Sequence, residues 1–224
     1  MKTILIIQGP LYTICLENII KMCKSFPCII STWDNEDQTK IEMLKPHVVD
    51  ILLNKIPEYS GFSNVNYANY SNVSGLYAGQ NLGYTHAVRF RSDLYCPNIK
   101  EMISIFENES VDKLVALAWF KHLVPPHAPD GYIINHIMSG PIDKVILYSS
   151  SIQTKNDDRF PEAFVQDSYF KKSPVTYEDV KNTFCFVLDK LIKANICVYY
   201  TGKTPSGNQE LIQTYNSIID MFIS

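Results

Sequence analysis

The sequence predicts a single α/β domain with a mostly parallel central sheet flanked by helices. Three observations predict it. Short continuous apolar runs such as Thr3–Gln8 read as strands buried on both faces, the form that parallel sheets take. Strand and helix patterns alternate three times over, which implies crossover units between parallel neighbours. Finally, no repeat, low-complexity segment or linker divides the 224 residues, and 46% hydrophobic content is enough for one core.

The elements follow in order. Thr3–Gln8 is the first strand, stopped by Gly9-Pro10. Tyr12–Lys24 reads as a helix, with apolar residues at Ile14, Ile19 and Met22. Pro27–Trp33 is the second strand, closed by the acidic loop 34–37, and a short helix over Gln38–Leu44 leads to a third strand over Val48–Leu53. Residues 54–65, with Pro57, Ser60 and Gly61, form a loop. Asn66–Leu82 reads as a helix because Tyr70, Val73 and Tyr77 share one face. Residues 86–95 (HAVRFRSDLY) hold a fourth strand, followed by a helix near Asn98–Glu107 and a strand over Leu114–Trp119. Lys121–Gly131, with three prolines and two histidines, is a loop, and Tyr132–Met138 is strand-like. Ser139-Gly140-Pro141 opens a helix. Pro161–Lys171 and Tyr177–Ala194 read as helices, Cys197–Tyr200 as a short strand and Gln209–Phe222 as a terminal helix.

Bulk properties narrow the function. A formal charge of −3 argues against broad nucleic-acid binding and leaves room for a local basic patch at Arg89 and Arg91. The six cysteines show no C-x-x-C spacing, which argues against zinc and suits reduced thiols. The first apolar run is too short for a signal peptide and no segment is long enough to span a bilayer. The expectation is a cytoplasmic protein, with peripheral membrane contact left open. The sequons at Asn69, Asn72 and Asn108 then read as chance matches.

Ligands of open α/β sheets collect at the carboxyl ends of strands. Three such ends are polar here: Gln8-Gly9-Pro10, Ser31-Thr32-Trp33-Asp34 and Arg91-Ser92-Asp93. Each has a structural alternative: a plain turn for the first, core packing for Trp33, a helix lead-in for Asp93. Their convergence on neighbouring strands favours a site. Gln8-Gly9-Pro10 is not the Gly-rich turn of dinucleotide enzymes, and neither a P-loop nor a G-x-S-x-G elbow occurs. A carboxylate among cations at a strand tip suits a metal-bound diphosphate: Arg91 to grip phosphate, Asp93 to hold Mn²⁺ or Mg²⁺.

That pattern is similar to nucleotide-sugar glycosyltransferases of the GT-A type, where a short acidic motif follows a central strand. The chain resembles the WavE family of lipopolysaccharide-synthesis proteins. The stretches that carry the resemblance are IIQGPLYT, IISTWDNED, NVSGLYAGQNLGYTHAVRFRSDLYCPN, INHIMSGPID and PEAFVQDSYF, in the family's order over roughly residues 3–170. It departs at Asn135, where the family pattern has Asp, and Arg91-Ser92-Asp93 keeps only the last carboxylate of a D-x-D. The resemblance implies a GT-A-like, Rossmann-related domain, with a nucleotide-sugar half at about 1–120 and an acceptor and catalytic half at about 121–224. It also implies a metal-assisted transfer from a nucleotide-sugar donor to a glycan or lipopolysaccharide-type acceptor. Gln8, Gly9, Pro10, Thr32, Trp33 and Arg91 would bind the donor. An acceptor hydroxyl also needs a proton acceptor. Glu162 is the first choice, although Glu is equally a routine first-turn residue. Asp143, His136 and Asp167 follow. A sugar-nucleotide pyrophosphorylase and a non-catalytic binding module are the competing readings.

Overall fold

The computed structural model describes residues 1–109, 111–120, 131–173, 175–200 and 209–210. The apolar runs set its frame. β1 (Thr3–Gln8) and β2 (Cys28–Trp33) are buried at every position. With β3 (Asp50–Asn54) and β4 (His86–Arg91) they lie parallel in the order β3-β2-β1-β4. The connections are α1 (Leu16–Ser25), α2 (Gln38–Leu44) and α3 (Val65–Asn81). The chain then runs through β5 (Leu94–Tyr95), α4 (Ile99–Glu109), β6 (Leu114–Ala116), β7 (Trp119–Phe120), β8 (Tyr132–Ile133), β9 (Ile137–Pro141) and α5 (Ile142–Ser149). It continues as α6 (Pro161–Phe170), α7 (Tyr177–Lys181), β10 (Phe184–Phe186), α8 (Leu188–Lys193), β11 (Tyr199–Tyr200) and β12 (Gln209–Glu210).

Seven strands form the central sheet, in the order β10-β6-β9-β4-β1-β2-β3. Only β9 opposes its neighbours, β4 and β6. One face is covered by α1 and α4 through Leu16, Ile19, Met22, Met102 and Phe106. The other is covered by α3, α5 and α6 through Leu76, Val145 and Phe164. This is the expected α/β domain with a mostly parallel sheet. Because β2 and β4 flank β1 on opposite sides, the strand order reverses between β1 and β4, and a crevice at their carboxyl ends follows from that switch.

Local expectations are corrected at several places. The helix expected over Tyr177–Ala194 is α7 and α8 separated by β10, because the aromatic run Phe184-Cys185-Phe186 pairs with β6. The strand expected over Tyr132–Met138 breaks into β8 and β9, and Ser139-Gly140-Pro141 ends β9 before α5 begins. The strand expected over Leu114–Trp119 divides into β6 and β7. Gln209 and Glu210 pair as strand with β11; the rest of the expected terminal helix, and residues 121–130 of the expected loop, lie outside the described residues.

α3 stands where the sequence places it but turns the other way. Tyr70 and Tyr77 are exposed, while Asn66, Asn69, Asn72, Gly75 and Gly79 are buried. The asparagine amides donate to Gln153 O (2.8 Å), Ser151 O (2.9 Å) and Ser149 Oγ (2.8 Å), so the polar face satisfies the segment after α5. Buried Asn69 and Asn72 therefore hold structure. All six cysteines are free thiols.

Candidate active site

The register of the sheet assembles three strand tips, since Gln8 lies opposite Ser31 on β2 and Arg91 on β4. They border a cleft of about 660 Å³. Its floor at β1 is a tight turn. Gly9 holds φ +111°, where a Cβ would lie 3.1 Å from Ser92 Oγ, so only glycine fits without strain. The backbone N–H groups of this turn are taken: Gly9 donates to Ser31 O (3.1 Å), Pro10 has none, and Leu11 donates to Glu36 Oε2 (2.7 Å). Although burial would raise the Glu36 carboxyl, the hydrogen bonds from Leu11 and Lys40 hold it below its ordinary value. Ser92 closes the turn from β4, donating through Oγ to Pro10 O (2.7 Å) and through N–H to Gln8 O (2.9 Å).

Strand alternation points Arg89 and Arg91 to the same face, into the cleft. Arg91 forks onto Asp93, Nε to Oδ1 at 2.9 Å and Nη2 to Oδ2 at 2.6 Å. Its Nη1 lies 3.1 Å from His136 Nδ1. Burial, reinforced by Arg91 and Arg89, pushes the His136 pKa well below its ordinary value, so the ring is neutral. With Nδ1 accepting from Arg91, the inferred tautomer carries its proton on Nε2, which faces Glu162 Oε1 at 3.9 Å. Glu162 sits in the first turn of α6, set there by Pro161 at the helix start. Burial raises its pKa, opposed by its backbone hydrogen bond and by Arg89 and Arg91. Its Oε2 is buried with no hydrogen-bond partner.

Arg89 is 5% exposed, and its Nε and Nη1 are buried without a partner. Burial lowers its pKa to about 10, which leaves it charged at neutral pH.

The structure thus brings Gln8, Gly9, Pro10, Trp33, Arg91, Asp93, His136 and Glu162 to one cleft. Thr32 lies buried behind it, 3.4 Å from Glu36 Oε2. Asp143 is exposed near the opposite end of the sheet, because β9 runs antiparallel and Pro141 pairs with His86, the first residue of β4. Asp167 is ion-paired with Arg159 (3.2 Å) and does not line the cleft. Arg89, Tyr12 and Tyr67 line the cleft without having been assigned to it from sequence. The spacing of Arg89, two residues before Arg91 on a strand, was the signal that could have placed it.

The residues present do not fit a divalent ion. Among the described residues no group of three or more His, Cys, Asp or Glu is placed to hold one, and both Asp93 oxygens already accept from Arg91.

The strand order defines an α/β protein whose cleft at the switch point is lined by Arg89 and Arg91 together with Glu36, Asp93 and Glu162. No protein-family model matches the chain, and neither does any curated protein. Among solved structures, the chain is similar to a nucleotidyl transferase from Methanothermobacter thermautotroptrophicus at 14% identity, over 86% of this chain and 98% of that one, with a TM-score of 0.46. It is also similar to HddC from Yersinia pseudotuberculosis at 13% identity, over 71% of this chain and 82% of that one, with a TM-score of 0.41. At those scores the fold is read from the chain's own strand order. Among the described residues no helix is long and apolar enough to cross a membrane.

Proposed function

We propose that the cleft binds a nucleotide sugar and passes the sugar to an acceptor hydroxyl, as a glycosyltransferase of the GT-A type to which the WavE-like stretches point. The observation that carries this reading is a buried carboxyl and a buried guanidinium in one cleft: Glu162 with a raised pKa and an unpartnered Oε2, and Arg89, whose Nε and Nη1 have no hydrogen-bond partner. In the reaction the bond from the anomeric carbon to the diphosphate oxygen breaks and a bond to the acceptor oxygen forms. Glu162 takes the acceptor proton, and a carboxylate with a raised pKa is the better base for it. Arg89 and Arg91 take the charge that develops on the departing nucleoside diphosphate. His136, neutral and held through Nδ1, turns Nε2 towards Glu162 Oε1 at 3.9 Å.

Nucleotidyl transfer to a sugar phosphate would use the same guanidiniums, but its phosphate nucleophile is already ionised and needs no base. Glu162 is the residue that separates the two. A panel of nucleotide sugars assayed for release of free nucleotide, beside nucleoside triphosphates with sugar 1-phosphates assayed for pyrophosphate, tests the choice. Glu162→Gln is expected to lower kcat for sugar transfer by roughly 10²–10⁴ and to leave donor affinity nearly unchanged. Pyrophosphate release unaffected by this substitution would make the protein a nucleotidyltransferase. Donor binding without turnover in any combination would make it a binding module.

A further inference from the structure

We propose that the cleft takes up the diphosphate of its ligand without a divalent metal ion, on Arg89 and Arg91, and that Asp93 is the positioning residue that aims Arg91. The identity of the ligand as a nucleotide sugar rests on the function proposed above; the anion site does not.

Four observations converge. First, a buried cation with unmade hydrogen bonds is costly, and at the wall of a cleft it is a group that a bound anion would complete. Arg89 is that group: it forms no ion pair among the described residues, and Nε and Nη1 face no acceptor. Second, the turn after β1, where α/β proteins commonly grip phosphate with backbone N–H groups, has none to offer, since those of Gly9 and Leu11 are taken and Pro10 has none. Phosphate recognition therefore falls to side chains. Third, the carboxylate best placed for a metal at the strand tip is bound through both oxygens by the guanidinium beside it. A divalent ion there would have to displace Arg91 and then sit next to two like charges. Fourth, the Asp93 fork and the His136 contact together fix the Arg91 plane, leaving its charge directed at the cleft. A guanidinium held in that way keeps a fixed positive charge beside the cleft, where a phosphate would meet it.

The test measures binding of UDP, GDP, ADP, CDP and dTDP, and separately of inorganic pyrophosphate, by calorimetry in EDTA and in Mn²⁺. The expected result is at least one tight nucleotide whose affinity EDTA does not reduce. Arg89→Met should weaken it by roughly 10- to 100-fold, the effect of losing a charge-assisted donor. Ligand-free Arg89→Met/Glu162→Gln should melt at the same temperature as Glu162→Gln alone or higher, because an apolar side chain then replaces a buried charge whose nearby carboxylate has already been removed. Asp93→Asn should weaken binding less than Arg89→Met and leave its metal independence intact. Binding that disappears in EDTA and returns with Mn²⁺ would overturn the proposal. So would an Arg89→Met/Glu162→Gln chain that melts earlier than Glu162→Gln or fails to fold, since Arg89 would then serve the fold. Pyrophosphate binding through Arg89 with no nucleotide binding keeps the anion site and removes the nucleotide-sugar reading. Absence of both kinds of binding removes the anion site itself.

Discussion

Glu162 and His136 face each other with their titrations driven apart, and burial is the larger cause in each. The Glu162 carboxyl is raised above its ordinary 4.5, so folding favours its protonated form. Its contribution to stability is complete below that value and is lost as pH rises through the folded pKa. Glu162→Gln should therefore stabilise the protein at neutral pH and flatten its melting temperature against pH in the mildly acidic range. Because the base must be ionised to accept a proton, wild-type kcat/KM should rise with pH through that same raised pKa; an acid limb at ordinary carboxylate values would contradict the role. His136 behaves in the opposite sense. Its pKa is depressed below 6.5, so its contribution is complete above 6.5 and is lost as the pH falls and the unfolded chain takes up the proton. Trp33 supplies a probe at this scale, as it lines the cleft edge-on to Tyr67 at 5.5 Å between ring centroids. Nucleotide should quench its fluorescence. Trp119→Phe should retain the signal and Trp33→Phe should abolish it; a signal kept in Trp33→Phe would move the ligand away from β2.

Among the elements, α3 shows how close packing can outweigh propensity. Its buried glycines lie one turn apart. A Cβ on Gly75 would meet Ile6 Cγ2 at 2.5 Å and Ser31 Cβ at 3.2 Å, whereas on Gly79 it would meet Ile4 Cγ2 at 3.1 Å. Alanine in a helix gains roughly 1 kcal/mol over glycine, but overpacking costs typically about 1–3 kcal/mol. Gly75→Ala should thus lower stability, and by more than Gly79→Ala, as measured by urea unfolding. Displacing α3 would also move Ser71, whose Oγ donates to Gln8 Oε1 (2.9 Å) at the rim of the cleft, so donor affinity should fall with stability in Gly75→Ala.

At the level of the whole molecule, the sheet interleaves the two parts of the chain. β9, from residues 137–141, lies between β4 and β6, and β10 closes the far edge against β6. The three strand tips at the cleft and the Glu162 helix therefore belong to one cooperative unit. Circular dichroism and fluorescence should report a single coincident unfolding transition. A fragment ending at residue 120 should not fold, because β4 and β6 would lose the strand between them; a folded fragment would show that the halves are independent.

The sequence by itself determined the strand–helix alternation, the parallel core and two of the cleft's edges. Those features follow from local apolar period and from turn residues such as Gly9-Pro10, which act within a few positions. It also pointed to Arg91, Asp93 and Glu162 as residues of one site. Only the tertiary structure decided the surroundings in which they sit. The fork that occupies both Asp93 oxygens, the burial that raises the Glu162 pKa and the missing partners of Arg89 are created by residues distant in sequence. The exposed Tyr70 and Tyr77 of α3 make the same point in reverse: an apolar stripe reads as core until the asparagines opposite it find the 149–153 segment. Solvent exclusion and hydrogen-bond partnership are properties of the assembled sheet, and no window of sequence contains them.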